Sequence, residues 1–150
     1  MRRLLSACAF VLACVAGVGV ARPAAQAPTA QAYYLLAAAT TNATVLRGCQ
    51  PTWLTGATLF NLSSTPTYLR VYNQCTVPTE ANTPRLVLVV PGTNNGQAGG
   101  AGVSVGHLTW TPDAPVYFPA GLAFRTTTGI AVDNTDAPAA NELVINLTHY

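Results

Sequence analysis

Along most of this chain, apolar and polar positions alternate over short runs, and turn residues separate the runs. Thr67–Tyr72 alternates most cleanly. Tyr68, Arg70 and Tyr72 share one face of the predicted strand, while Leu69 and Val71 share the other and belong in a core. Glu142–Thr148 alternates in the same way, with Leu143, Ile145 and Leu147 opposed to Val144 and Asn146. Arg85–Val90 is almost continuously apolar, so both of its faces are expected to be covered. Further strands are predicted at Thr44–Arg47, Gly56–Leu62, Val103–Trp110, Val116–Phe118, Leu122–Thr126 and Gly129–Val132. Asn61–Pro66, Pro91-Gly92, Pro119-Ala120-Gly121 and Thr128-Gly129 supply the turns, and residues 92–102 form a long glycine-rich loop. From Tyr33 onward, Gly, Pro or β-branched residues interrupt every stretch long enough for a helix. The pattern predicts one all-β domain over 33–150, a single β-sandwich of jelly-roll type.

A different pattern precedes it. Arg2 and Arg3 are followed by an 18-residue apolar run, Leu4 to Ala21, closed by Arg22 and Pro23. A basic start, an apolar middle and small residues at the end are the layout of a secretory signal peptide, here residues 1–21, with cleavage expected between Ala21 and Arg22. Two alternatives use the same residues. The run is just long enough to anchor an uncleaved chain in a bilayer, and Cys8 or Cys14 could serve lipid attachment. Residues 22–32 are rich in Pro, Ala and Gln and read as a linker.

Export changes the meaning of the cysteines. Cys8 and Cys14 leave with the leader, whereas Cys49 and Cys75 remain as an even pair in an oxidising compartment, the setting for a disulfide. A reactive pair would call for Cys-x-x-Cys spacing and a basic neighbourhood, and this pair has neither.

Charge is scarce: only 8% of the chain is charged, and all seven basic residues are Arg. Beyond Ala21, five arginines balance five acids (Glu80, Asp113, Asp133, Asp136, Glu142), so the body is neutral. The basic stripe that neutralises phosphates is missing, which argues against a nucleic-acid partner. A neutral, sparsely charged surface suits a protein that packs against copies of itself or a larger assembly. A membrane is implied only through an uncleaved leader.

Catalytic constellations are thin. Gly102-Val103-Ser104-Val105-Gly106 fits G-x-S-x-G, and Asp113, Asp133 or Asp136 and then His149 follow in hydrolase order. That motif needs a strand, a strained turn and a helix; here a glycine loop precedes it and a strand pattern follows, so no enzyme activity is expected. His107 and His149 lie far apart in sequence with no carboxylate pair beside either, so neither a metal nor a cofactor is expected. Tyr68, Arg70 and Tyr72 form the candidate interaction face, since aromatics and Arg on one strand are typical of interface hot spots and sugar-stacking platforms.

The order of segments carries one resemblance. Ala57–Asn73 is followed by Thr76-Val77-Pro78-Thr79, Asn82–Gly92, Tyr117–Phe124, Gly129–Val132 and Ala139–Leu147. This series resembles small β-sandwich proteins encoded among the structural genes of tailed bacteriophages and prophages, over roughly residues 43 to 148. The resemblance implies a non-enzymatic, virion-associated role, such as decorating a capsid or tail by self-assembly. The export leader and the two cysteines depart from that group and imply the periplasm, cell envelope or extracellular space. The function expected is an exported structural or interaction module, with a secreted glycan-binding or other surface-ligand-binding protein as the alternative.

Overall fold

The structure, a computed structural model, describes residues 29–93 and 106–150. The leader and its Ala21–Arg22 junction, residues 22–28 of the linker, and Ser104 lie outside those residues.

Nine strands form among the described residues: β1 (Gln31–Leu36), β2 (Thr44–Arg47), β3 (Thr52–Asn61), β4 (Thr67–Asn73), β5 (Leu86–Val90), β6 (Gly106–Trp110), β7 (Val116–Phe118), β8 (Leu122–Thr127) and β9 (Leu143–His149). Four antiparallel pairings are nested: β4 with β5, β3 with β6, β2 with β8, and β1 with β9. Nesting of this kind makes the chain one long hairpin whose turn lies between β4 and β5. Rolling the hairpin up brings β9 onto β3 and β8 onto β4. Two sheets result, β1-β9-β3-β6 with β7 added on β3, and β2-β8-β4-β5. This is the jelly-roll order, so the all-β sandwich expected from the sequence is the observed fold.

The core lies between the sheets. Leu54, Leu59, Ile145 and Leu147 from one sheet meet Leu69, Val71, Leu88 and Phe124 from the other, all buried. Each such side chain contributes on the order of 2 kcal/mol through lost apolar exposure. Leu69 and Val71 face this core, as their alternation with Tyr68, Arg70 and Tyr72 requires.

β1 starts at Gln31, inside the stretch read as linker, and pairs with β9 along its whole length. β3 begins at Thr52, four residues before the predicted start at Gly56. Gly129–Val132, expected as a strand, is not one. Its carbonyls are taken by a side chain: Arg70 Nη2 donates to the carbonyls of Gly129 (2.8 Å), Ile130 (2.8 Å) and Ala131 (2.6 Å). A segment whose carbonyls all turn to one guanidinium cannot offer them to a neighbouring strand.

At one end of the sandwich, Cys49 after β2 and Cys75 after β4 form the disulfide expected from the sequence, with a Cα–Cα distance of 4.6 Å. The β7–β8 turn closes on the same corner. Gly121 has φ +116°, and a Cβ there would lie 2.0 Å from the Gly48 carbonyl oxygen, so only glycine fits. At the opposite end Asn61 is the hub: fully buried, it donates from Nδ2 to the Thr65 carbonyl (2.8 Å) and accepts from the Ser63 N–H (2.9 Å).

Candidate interaction face

Tyr68, Arg70 and Tyr72 do share the outer face of β4, but that face is covered. Tyr68 is half-buried, while Arg70 and Tyr72 are buried. Arg70 is opposite Arg125 of β8, which is also buried, and the segment after β8 folds over both. Arg70 Nε donates to Thr127 Oγ1 at 3.1 Å, its Nη2 holds the three carbonyls named above, and Arg125 donates to the Asn134 carbonyl. Asn134 in turn accepts from the Gly129 N–H at 3.1 Å. All these acceptors are neutral, so the two cations are solvated by backbone and hydroxyl dipoles. Beside them, burial raises the pKa of the Tyr72 phenol, and the charges of Arg125 and Arg70 oppose that rise. With its guanidinium committed to this cover, Arg70 is buried rather than exposed at the surface.

Among the described residues, nothing covers the outer face of the other sheet. Its strands are in register, so the outward residues form rows: Leu36, Val144, Phe60 and His107 make one, and Tyr34, Asn146, Thr58 and Thr109 the next. Tyr34 is 63% exposed, Leu36 43% and Phe60 36%. Phe60 and His107 stack with ring centroids 5.0 Å apart, and Trp53 and Tyr117 lie 4.5 Å apart further along β3. No outward residue in these rows is Asp, Glu, Arg or Lys.

A bulge makes this face. Leu54 pairs with His149 and Gly56 with Thr148, so Thr55 is an extra residue on β3. Under strict alternation Trp53 and Phe60, seven positions apart, would point to opposite sides. The extra residue puts both outside, roughly 20 Å apart at the strand rise. Opposite the bulge the edge strand also breaks: β6 and β7 lie end to end along β3, with Thr111–Pro115 between them. The edge is thus kept in phase with the bulged strand, which is why Tyr117 meets Trp53. Sequence reasoning missed Tyr34, Phe60 and Tyr117 as face residues; the available signal was the odd Trp53-to-Phe60 spacing around a Thr-Gly step.

His149, the last residue of β9, is buried between β1 and β3. Burial, and then the charge of Arg47, lower its pKa below the usual value of 6.5, and its Nδ1 has no hydrogen-bond partner. Tyr150 continues the pairing: its N–H donates to the Trp53 carbonyl at 3.0 Å and its carbonyl accepts from Trp53 at 2.7 Å. Tyr150 is therefore held against β3. Among the described residues no three His, Cys, Asp or Glu side chains cluster as a metal site, and no helix is long and apolar enough to cross a membrane.

Fold and face together define a jelly-roll sandwich with one outer surface covered and the other neutral, aromatic and open. Compared with known proteins, the chain matches no protein family, and no curated protein or solved structure is significantly similar to it.

Proposed function

We propose that this protein is a non-enzymatic, exported structural module that assembles with copies of itself, or onto a larger assembly, through the outer face of β1-β9-β3-β6. One observation carries the reading: three adjacent strands, β1, β9 and β3, present Tyr34, Leu36, Val144 and Phe60 outward with no formal charge among them. Contiguous exposed apolar surface of this kind marks interaction sites, and aromatic residues without flanking charge are the composition of interface centres. The Cys49–Cys75 bond supports an oxidising destination such as the periplasm, the envelope or the extracellular space. A virion-associated role rests on the resemblance of the segment order alone.

The aliphatic members of the face, Leu36 and Val144, favour a protein partner over a sugar, which stacks on rings but gains little from aliphatic branches. Trp53 and Tyr117, with Thr and Asn side chains nearby, keep glycan binding as the competing reading. Sedimentation of the wild type across a hundredfold concentration range is expected to show species larger than a monomer, and Phe60→Glu is expected to reduce their size. A wild type that stays monomeric throughout, and whose Trp fluorescence shifts with neutral oligosaccharides, would overturn self-assembly in favour of glycan binding.

A further inference from the structure

We infer that the protein carries a second self-association site, the edge of β5, where two copies pair strand to strand. The inference rests on the self-assembly reading and specifies its geometry. A sheet has two edges, and an edge strand offers its outer N–H and C=O groups to any strand that meets it. Among the described residues, two of the four edges are blunted. β2 is short and loses register between Val45 and Arg47. The β6–β7 edge is broken by Thr111–Pro115, which holds two prolines and Asp113. β1 is unbroken, but it belongs to the open face already described, and Arg47 Nη1 reaches across its first residue to donate to Gln31 Oε1 at 3.4 Å.

β5 has none of these devices. Its five residues, Leu86 to Val90, are all apolar, and among the described residues it pairs with β4 alone. The register with β4 is unbroken from Leu86 to Val90. Leu88 and Val90 fill the core, while Val87 and Val89 are 38% and 46% exposed on the outer face. The nearest charge, Arg85, is turned aside, its guanidinium 5.6 Å from the centre of the Phe118 ring.

The partner that fits is a second copy. A two-fold axis at Leu88 sets β5 antiparallel to itself, with Leu88 opposite Leu88 and Val87 opposite Val89. Val–Val pairs then form on the outer face without interruption, and the two Arg85 side chains stand at far ends, too distant to repel. The product is one continuous eight-stranded sheet across two molecules. An interface of this kind is isologous and closes at two copies. Combined with self-association through the β1-β9-β3-β6 face, it gives an open linear chain of alternating face and edge contacts.

The test uses the full chain and sedimentation equilibrium, with near-UV circular dichroism as the control for folding. Phe60→Glu alone is expected to stop assembly at a dimer held by β5. V87K/V89K alone, which sets Lys opposite Lys, is expected to stop it at a dimer held by the face. Combining all three substitutions is expected to give a monomer. In the Phe60→Glu background, V87K/V89E sets Lys opposite Glu across the two-fold axis and is expected to restore the dimer, because opposite charges directly across a strand pair attract. A Phe60→Glu variant that is wholly monomeric, from a wild type that is larger, would overturn β5 pairing and leave the face reading intact. Loss of assembly on V87K/V89K with no effect of Phe60→Glu would do the reverse. A wild type monomeric at every concentration would overturn both.

Discussion

The two outer faces of this sandwich solve the same problem in opposite ways. Each sheet has one face in the core and one facing away from it. On the β2-β8-β4-β5 sheet the far face carries Arg70, Arg125 and Tyr72, and the segment after β8 folds back across them, so every residue of β8 is buried. On the other sheet the far face carries Tyr34, Phe60, Trp53 and Tyr117 and nothing among the described residues covers it. Polar anchors are what make the difference. A guanidinium can hold three carbonyls and so fasten a chain segment, with Ile130 and Val132 consequently turned outward at 73% and 48% exposure. Rings and aliphatic groups cannot hold a loop in that way; they can only wait for another apolar surface. The polar face is closed within the molecule, and the apolar one is left for a partner.

The contrast can be broken most directly at Arg70. Arg70→Met keeps the apolar stem but removes the guanidinium, leaving the Ile130 carbonyl without its donor and taking one of two donors from the Gly129 and Ala131 carbonyls. A loss of about 3 kcal/mol in urea unfolding is expected, from lost charge-assisted hydrogen bonds and a buried carbonyl left unsatisfied, together with new proteolytic cleavage between residues 128 and 136. Reducing the Cys49–Cys75 bond frees the corner joining the two sheets, and a loss of about 3 kcal/mol is expected between unreduced and reduced protein. The effect of pH is smaller and belongs to the open sheet. His149 has a lowered pKa in the fold, so its stabilising contribution is complete above about pH 6.5 and is lost as pH falls below that value, where the unfolded chain takes up a proton first. Unfolding midpoints measured between pH 7.5 and 5 should fall for the wild type and fall less for His149→Gln. Phe60→Glu should cost the monomer about 0.5 kcal/mol, as partly exposed positions do; a loss as large as that of Arg70→Met would mean that the open face supports the fold itself.

Much of this architecture was legible in the chain. Alternation placed Leu69 and Val71 in the core and separated Leu143, Ile145 and Leu147 from their neighbours, because a strand buried on one side repeats every two residues. What failed was whatever depended on distant chain. The face of Tyr68, Arg70 and Tyr72 reads as an open aromatic–cationic strip, and only the arrival of residues 129–134, some sixty positions later, covers it. Those same residues have strand-like side chains at Ile130 and Val132, yet their carbonyls are captured by Arg70. β1 was missed because Tyr33-Tyr34-Leu35-Leu36 is apolar throughout and abuts an Ala-rich stretch, so it shows no alternation. The open face was hidden by one residue, Thr55, whose insertion shifts the phase of β3. A local two-residue rule cannot detect a bulge that is fixed by the register of β9.

The nested pairing also sets an order of events for the growing chain. Among the described residues, only β4 and β5 pair with their immediate successor or predecessor as a local hairpin; every other nested pair closes a longer loop around it, out to Gln31 with His149. Contacts of such sequence separation form slowly, because each closure costs entropy before its reward arrives. β1 thus has no strand partner until β9 emerges. During synthesis at roughly 5–20 residues per second, β1 stays unpaired for the whole time the intervening residues are being made. β1 can therefore close onto its sheet only after β9 has been made.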